Sequence, residues 1–240
     1  MIRSILSNGL NQYTIVFYLL LIPIILISLS LHELCHGYAA YLCGDNTARN
    51  LGRLTMNPLK HLDPIGALMM LFVGFGWAVP VPINSRNFKN FKRDLSLVAL
   101  AGPLSNILLA FICVGLMFTV DKISGVSNGT NNIAELLSYF FYMAALMNIG
   151  LAVFNLIPIP PLDGSRIIIS ILPKKLLDSY LKVEQYSRFV FLALVLSSWI
   201  PLNIGPFSNL SDLVFFPIEW LRIGIYDCFF KFYSLIFKFF

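Results

Sequence analysis

Two histidines and a glutamate fall together in the stretch His32-Glu33-Leu34-Cys35-His36. On a helix, residues four apart lie one above the other on the same face. His32 and His36 can therefore hold one metal ion between them, and Glu33 stands near enough to handle the protons of a bound water. The stretch comes at the end of an uncharged run that begins at Tyr13. An acid and two imidazoles in lipid-compatible sequence are costly to keep, so a functional site is the default reading. HExxH by itself is weak, because paired histidines on soluble helices are often just packed or solvated.

A catalytic metal needs a third protein ligand and keeps a fourth position open for water. The apolar segments of this chain contain few acids to choose from. Asp163 is the best placed, because it follows the break Pro158-Ile159-Pro160-Pro161-Leu162, where the backbone stops being helical. Asp163-Gly164 is also a common turn dipeptide, so its ligand role depends on meeting HELCH at the same depth. Two imidazoles and one carboxylate are the arrangement of catalytic rather than structural zinc.

The elements that must position these residues belong in a bilayer. The chain has 240 residues, 58% hydrophobic and only 12% charged, against about one quarter charged in ordinary globular domains. A soluble domain of this size could not hide so much apolar surface. The net charge of +5 does not point to nucleic acid, because the basic residues flank apolar runs and suit lipid headgroups. The four cysteines form no CxxC pair, which argues against a disulfide framework or a thiolate zinc site. The apolar start is too long for a signal-peptide core, and cleavage near Ser30 would remove the helix carrying His32, so it reads as a retained span.

The reading is an all-α polytopic membrane protein, a single domain over 1–240 with about four transmembrane helices. Residues 13–43 form the first, with HELCH in its last third. Residues 64–82 are apolar but short and broken by Gly66, Gly74, Gly76, Pro80 and Pro82, which predicts a re-entrant hairpin or strand buried against protein. Residues 95–120 and 136–158 are the second and third spans, the latter leading to Asp163, and 189–210 the fourth. The charges in 213–240 fall within half of a helical wheel, so an interfacial amphipathic helix is preferred and a fifth span is the alternative.

Charge also sets orientation. Arg49, Arg53, Lys60, Arg86, Lys89, Lys92 and Arg93 fill the first two loops, whereas 121–135 has only Lys122. The positive-inside rule then places the N-terminus outside and both HELCH and Asp163 at the cytosolic ends of their spans, at one depth of the cell membrane.

Three stretches carry a family resemblance: HELCH, Ala101-Gly102-Pro103-Leu104-Ser105-Asn106, and Asn155-Leu156-Ile157-Pro158 through Asp163-Gly164. Together they resemble the site-2 protease family of intramembrane zinc metalloproteases, and the segment from Gly52 to Gly66 is similar to family sequences as well. The likeness covers about residues 31–166, and the chain has no room for the PDZ or CBS-type domains of many relatives. It implies one zinc ion held by His32, His36 and Asp163, Glu33 as catalytic acid and base, and Asn106 and Asn155 beside the active site, where either side-chain amide could assist an oxyanion. It also implies a membrane-spanning protein as substrate; the sequence is silent on oligomeric state.

Two non-proteolytic readings compete. A metal transporter would show repeat symmetry and ionisable groups in several spans, neither of which occurs. A catalytically silent scaffold would not require the carboxylate of Glu33.

Overall fold

A computed structural model describes residues 12–66, 78–124, 132–173, 201–204 and 207–238, with scattered positions between 175 and 193. Helix α1 (Gln12–Leu42) continues through Pro23 and carries HELCH near its end. A short helix, α2 (Thr47–Asn50), follows a turn at Gly44, whose φ of 108° favours glycine. Then come α3 (Phe91–Ser124), α4 (Asn132–Asn155) and α5 (Asp163–Ile171). Strands β1 (Pro201–Ile204) and β2 (Phe207–Asn209) pair antiparallel and lead into α6 (Leu210–Phe237).

Among the described residues, three helices are long and apolar enough to cross a membrane: Ile15–Leu42, Phe91–Ser124 and Ile133–Asn155. They match the first three expected spans. Helix α4 stops at Asn155, three residues short of the expected limit, because Pro158, Pro160 and Pro161 withdraw backbone donors and disfavour helix before them. The expected fourth span, 189–210, lies largely outside the described residues. Its last third is the β1–β2 pair and not helix, a correction that follows from Pro201, which donates no hydrogen bond, and from the Gly205-Pro206 turn signal. The all-α expectation therefore holds for the bundle but not for this short hairpin.

Helix α6 lies along α3 and not across it. Phe111 meets Phe229 and Tyr233, Phe118 meets Phe230 and Phe237, and Lys122 Nζ donates to Phe237 O at 3.2 Å. The contacts advance along both helices together, so α6 runs parallel to α3, whereas a fifth span following four others would run antiparallel to it.

Small side chains let α1, α3 and α4 approach closely. Ala110, Ala144, Ala145 and Ala152 are buried, and Ile24, Cys113, Val114 and Met117 fill the centre. In a membrane this packing carries association, since an interhelical hydrogen bond contributes only about 0.6 kcal/mol on average. Asn148 Nδ2, which donates to Ser28 Oγ at 2.8 Å, fixes register more than it adds energy.

The middle of the expected re-entrant hairpin or strand, 64–82, lies outside the described residues. Leu62 and Ala78 form an antiparallel bridge, and Val79 N donates to His61 O at 2.8 Å. Beyond it, buried Asp45 accepts from Thr47 N, Asn84 N and Asn87 Nδ2, tying the end of α1 to the segment beyond Pro82. Burial pushes the Asp45 carboxyl up, but these hydrogen bonds prevail and hold it below its ordinary value. Its stabilisation is therefore present above the unfolded carboxylate value of about 3.9 and is lost as pH falls through the lower folded value. Asp45→Asn is expected to cost about 2–3 kcal/mol at pH 7 in denaturant unfolding. The gap to the parent should close on acidification below about pH 4.

Candidate metal centre

The end of α1 and the start of α5 bring three ligand atoms together. His32 Nε2 and His36 Nε2 are 3.0 Å apart, and Asp163 Oδ2 lies 3.2 Å from the first and 3.1 Å from the second. No other group of three or more His, Cys, Asp or Glu side chains among the described residues could hold a metal. The side chains are 7% exposed for each histidine and 17% for Asp163. His32 and His36 come from successive turns of one helix face. Asp163 arrives because α4 ends at Asn155 and the proline-rich segment turns the chain into α5, whose first residue is this acid. An anion at a helix N-terminus is favoured by the local dipole.

Each ring is oriented through its other nitrogen. His36 Nδ1 donates to the Val98 carbonyl of α3 at 2.7 Å, and His32 Nδ1 donates to Asn106 Oδ1 at 3.3 Å. Carbonyl oxygens only accept, so a neutral ring keeps its proton on Nδ1 and turns the Nε2 lone pair inward. Burial raises the Asp163 carboxyl, but its contacts with His32 and His36 outweigh that and hold it below the carboxylate range, as an anion. Three electron-pair donors thus converge on one point, a donor set that could hold a cation between them. Donors on a single tetrahedral zinc stand about 3.3 Å apart, so the observed triangle fits that ion closely. Carbonyl acceptors behind the rings in this way raise ligand basicity and fix the tautomer.

Glu33 points toward the 78–82 segment, where Val81 N donates to its Oε2 at 2.8 Å. Asn106 is fully buried and touches His32, and its Nδ2 has no partner among the described residues. Asn155 Nδ2 instead donates to Leu151 O of its own helix at 2.9 Å, half-buried. Of the expected residues, the structure therefore brings His32, His36, Asp163 and Asn106 into contact and places Glu33 one residue along the same helix. His61, the third histidine, lies apart from the cluster, buried in a loop with Nε2 donating to Thr55 O. All four cysteines are free.

Residue types alone did not disclose two contributors. Val98 acts through its carbonyl, which any residue would supply. Gly102 sits where α3 passes the metal ligands, and a Cβ there would lie 2.6 Å from His32 Cε1 and against His36 Nε2. The Ala101-Gly102-Pro103 signal was visible, but only the packing explains it.

Comparison with known proteins agrees with this chemistry. The family model for Peptidase family M50 matches residues 20–198. The chain is 39% identical over 211 residues to YwhC of Bacillus subtilis, a candidate zinc metalloprotease by its name, covering 82% of this chain and 93% of that one. It is 34% identical over 153 residues to Rip2 of Mycolicibacterium smegmatis, similarly named, covering 61% and 55%. It is 27% identical over 213 residues to zinc metalloprotease MJ0392 of Methanocaldococcus jannaschii, covering 88% of this chain and 45% of that one. The chain thus spans about half the length of the latter two relatives. No solved structure matches the chain.

Gly102→Ala should displace both imidazoles and lower bound zinc at least about tenfold in chelator competition, a size typical of second-shell damage. Ala101→Gly, one residue away, serves as the control and should leave zinc content unchanged.

Proposed function

The chain belongs to peptidase family M50, the site-2 protease family of membrane zinc metalloproteases, and from this we propose that it cleaves a peptide bond within or near a transmembrane segment of a membrane protein. His32, His36 and Asp163 would hold one zinc ion. The observation that carries the reading is the convergence of His32 Nε2, His36 Nε2 and Asp163 Oδ2 within 3.2 Å of one another, from two separate helices.

Bound there, zinc supplies a Lewis acid that polarises a carbonyl and makes water nucleophilic near neutral pH. Glu33 takes the proton from the attacking water and delivers it to the leaving nitrogen. The Val81 amide engages Oε2, which leaves Oε1 to face the reacting water. The unpartnered Nδ2 of Asn106 is a donor beside the ligands, suited to an oxyanion. Asn155 is assigned a supporting place at the end of α4, where its back-bond to Leu151 O caps the helix before the break.

A peptide bond in a transmembrane helix is shielded by its own hydrogen bonds, so the substrate must unwind before attack. The glycine-rich 64–82 segment, whose flanks are bridged by Leu62 and Ala78, would accept an opened segment by strand addition. The basic loops place this chemistry at the cytosolic face, with the N-terminus outside.

The test is purified protein in nanodiscs with a model transmembrane substrate. Glu33→Gln should keep one zinc per chain and lose at least about a thousandfold in cleavage, within the range of general acid–base catalysis. Chelation should abolish the parent activity and zinc restore it. Cleavage by Glu33→Gln at the parent rate would refute the role.

A further inference from the structure

The stretch from Gly52 to Gly66 stands out in the sequence, yet none of its residues touches the metal ligands. Its contacts go to the segment Val79-Pro80-Val81-Pro82. Arg53 Nη2 donates to Val79 O at 2.9 Å and to Pro80 O at 3.3 Å. His61 O receives the Val79 amide at 2.8 Å, and Leu62 bridges to Ala78. The stretch is itself cross-tied, with His61 Nε2 donating to Thr55 O and Lys60 Nζ to Gly52 O. Leu54 and Val81 press together on Gly37, one residue beyond His36, where an added Cβ would lie 2.6 and 2.9 Å from them.

Proline at 80 and 82 leaves this four-residue segment only two backbone donors. One is spent on His61 O. The other, Val81 N, binds Glu33 Oε2 at 2.8 Å. The guanidinium of Arg53 has no carboxylate partner among the described residues, and its Nε is buried without one. An arginine whose Nη2 reaches two successive backbone carbonyls is placed to hold that backbone. The carbonyls it grips are the two that precede Val81, whose amide holds Glu33.

We propose that Arg53 is a positioning residue for Glu33, acting through the Val79–Val81 backbone. The assignment rests on the role of Glu33 proposed above. Arg53 fixes the segment, the segment presents the Val81 amide, and the amide holds one carboxylate oxygen so that the other faces the water. Without Arg53 the segment loses its two side-chain ties at Val79 O and Pro80 O, the ones next to Val81, and Glu33 samples rotamers that do not reach the reacting water. Misplacement of a catalytic group by about 1 Å is enough to cost on the order of a hundredfold.

The test uses the full chain, zinc-loaded in nanodiscs, with Arg53→Met and Arg53→Lys. Two readouts are taken: amide hydrogen exchange at Val79 and Val81, and the kinetics of cleavage of a model transmembrane substrate. Arg53→Met is expected to keep one zinc per chain and to speed exchange at both amides by about tenfold or more. Its kcat should fall about 10- to 100-fold with KM held within about twofold. Arg53→Lys should recover part of both losses. Parent-level exchange or parent-level kcat in Arg53→Met overturns the proposal, as does loss of zinc with activity, which would make Arg53 a framework residue. A parent protein that cleaves nothing would count against the proposed function instead, because the exchange readout needs no turnover.

Discussion

Everything in this molecule depends on keeping two imidazoles and a carboxylate pointed at one another in apolar surroundings. Three converging lone pairs repel, and each polar group has been taken out of water at a cost of several kcal/mol. The fold meets that cost in layers. Nδ1 of each histidine is satisfied on α3, by the Val98 carbonyl and by Asn106. The carboxylate sits at the start of α5, and α5 is fastened to α3 by the contact between Ser96 and Ser170. A cation held at the centre, as proposed, would turn that repulsion into attraction and would couple metal binding to the joining of α1 and α5.

Helix α3 is the common partner. It reads both histidines, passes them at Gly102 without a side chain, and receives α4, α5 and α6 along its length. The close approach at Gly102 explains why a glycine, normally unfavourable inside a helix, is used there. On the opposite side of α1, Gly37 performs the same service for Leu54 and Val81. The helix that carries HELCH is thus clasped by α3 on the face of His32 and His36 and by the segment around Val81 at Glu33. The proposed metal ligation and proton transfer would therefore be supported by different elements and be separable by mutation.

Much of the metal centre was legible in the sequence because its chemistry is carried by side-chain type. Histidines four apart need only a helix to meet, and an uncharged run supplied one. Asp163 stood out because acids are scarce and because prolines 158, 160 and 161 end the helix just before it. Other contributions are silent in one dimension. A carbonyl such as that of Val98 and an amide such as that of Val81 belong to every residue, and only the three-dimensional path selects them. Arg53 read as a topology signal, since a basic loop residue predicts orientation, while its guanidinium is committed to backbone. The stretch before α6 misled because hydropathy sees apolar residues and overlooks the donors that Pro201 and Pro206 withdraw. The direction of α6 depended on aromatic contacts with Phe111 and Phe118, which its own charge pattern does not encode.

X-ray absorption at the zinc edge of the purified protein tests the central claim most directly. The account predicts one zinc per chain with only nitrogen and oxygen neighbours at about 2.0–2.2 Å, two of them showing imidazole scattering. A sulfur neighbour at about 2.3 Å would bring Cys35 or another thiol into the site, and a single imidazole would remove one of the two histidines. Either result would contradict it.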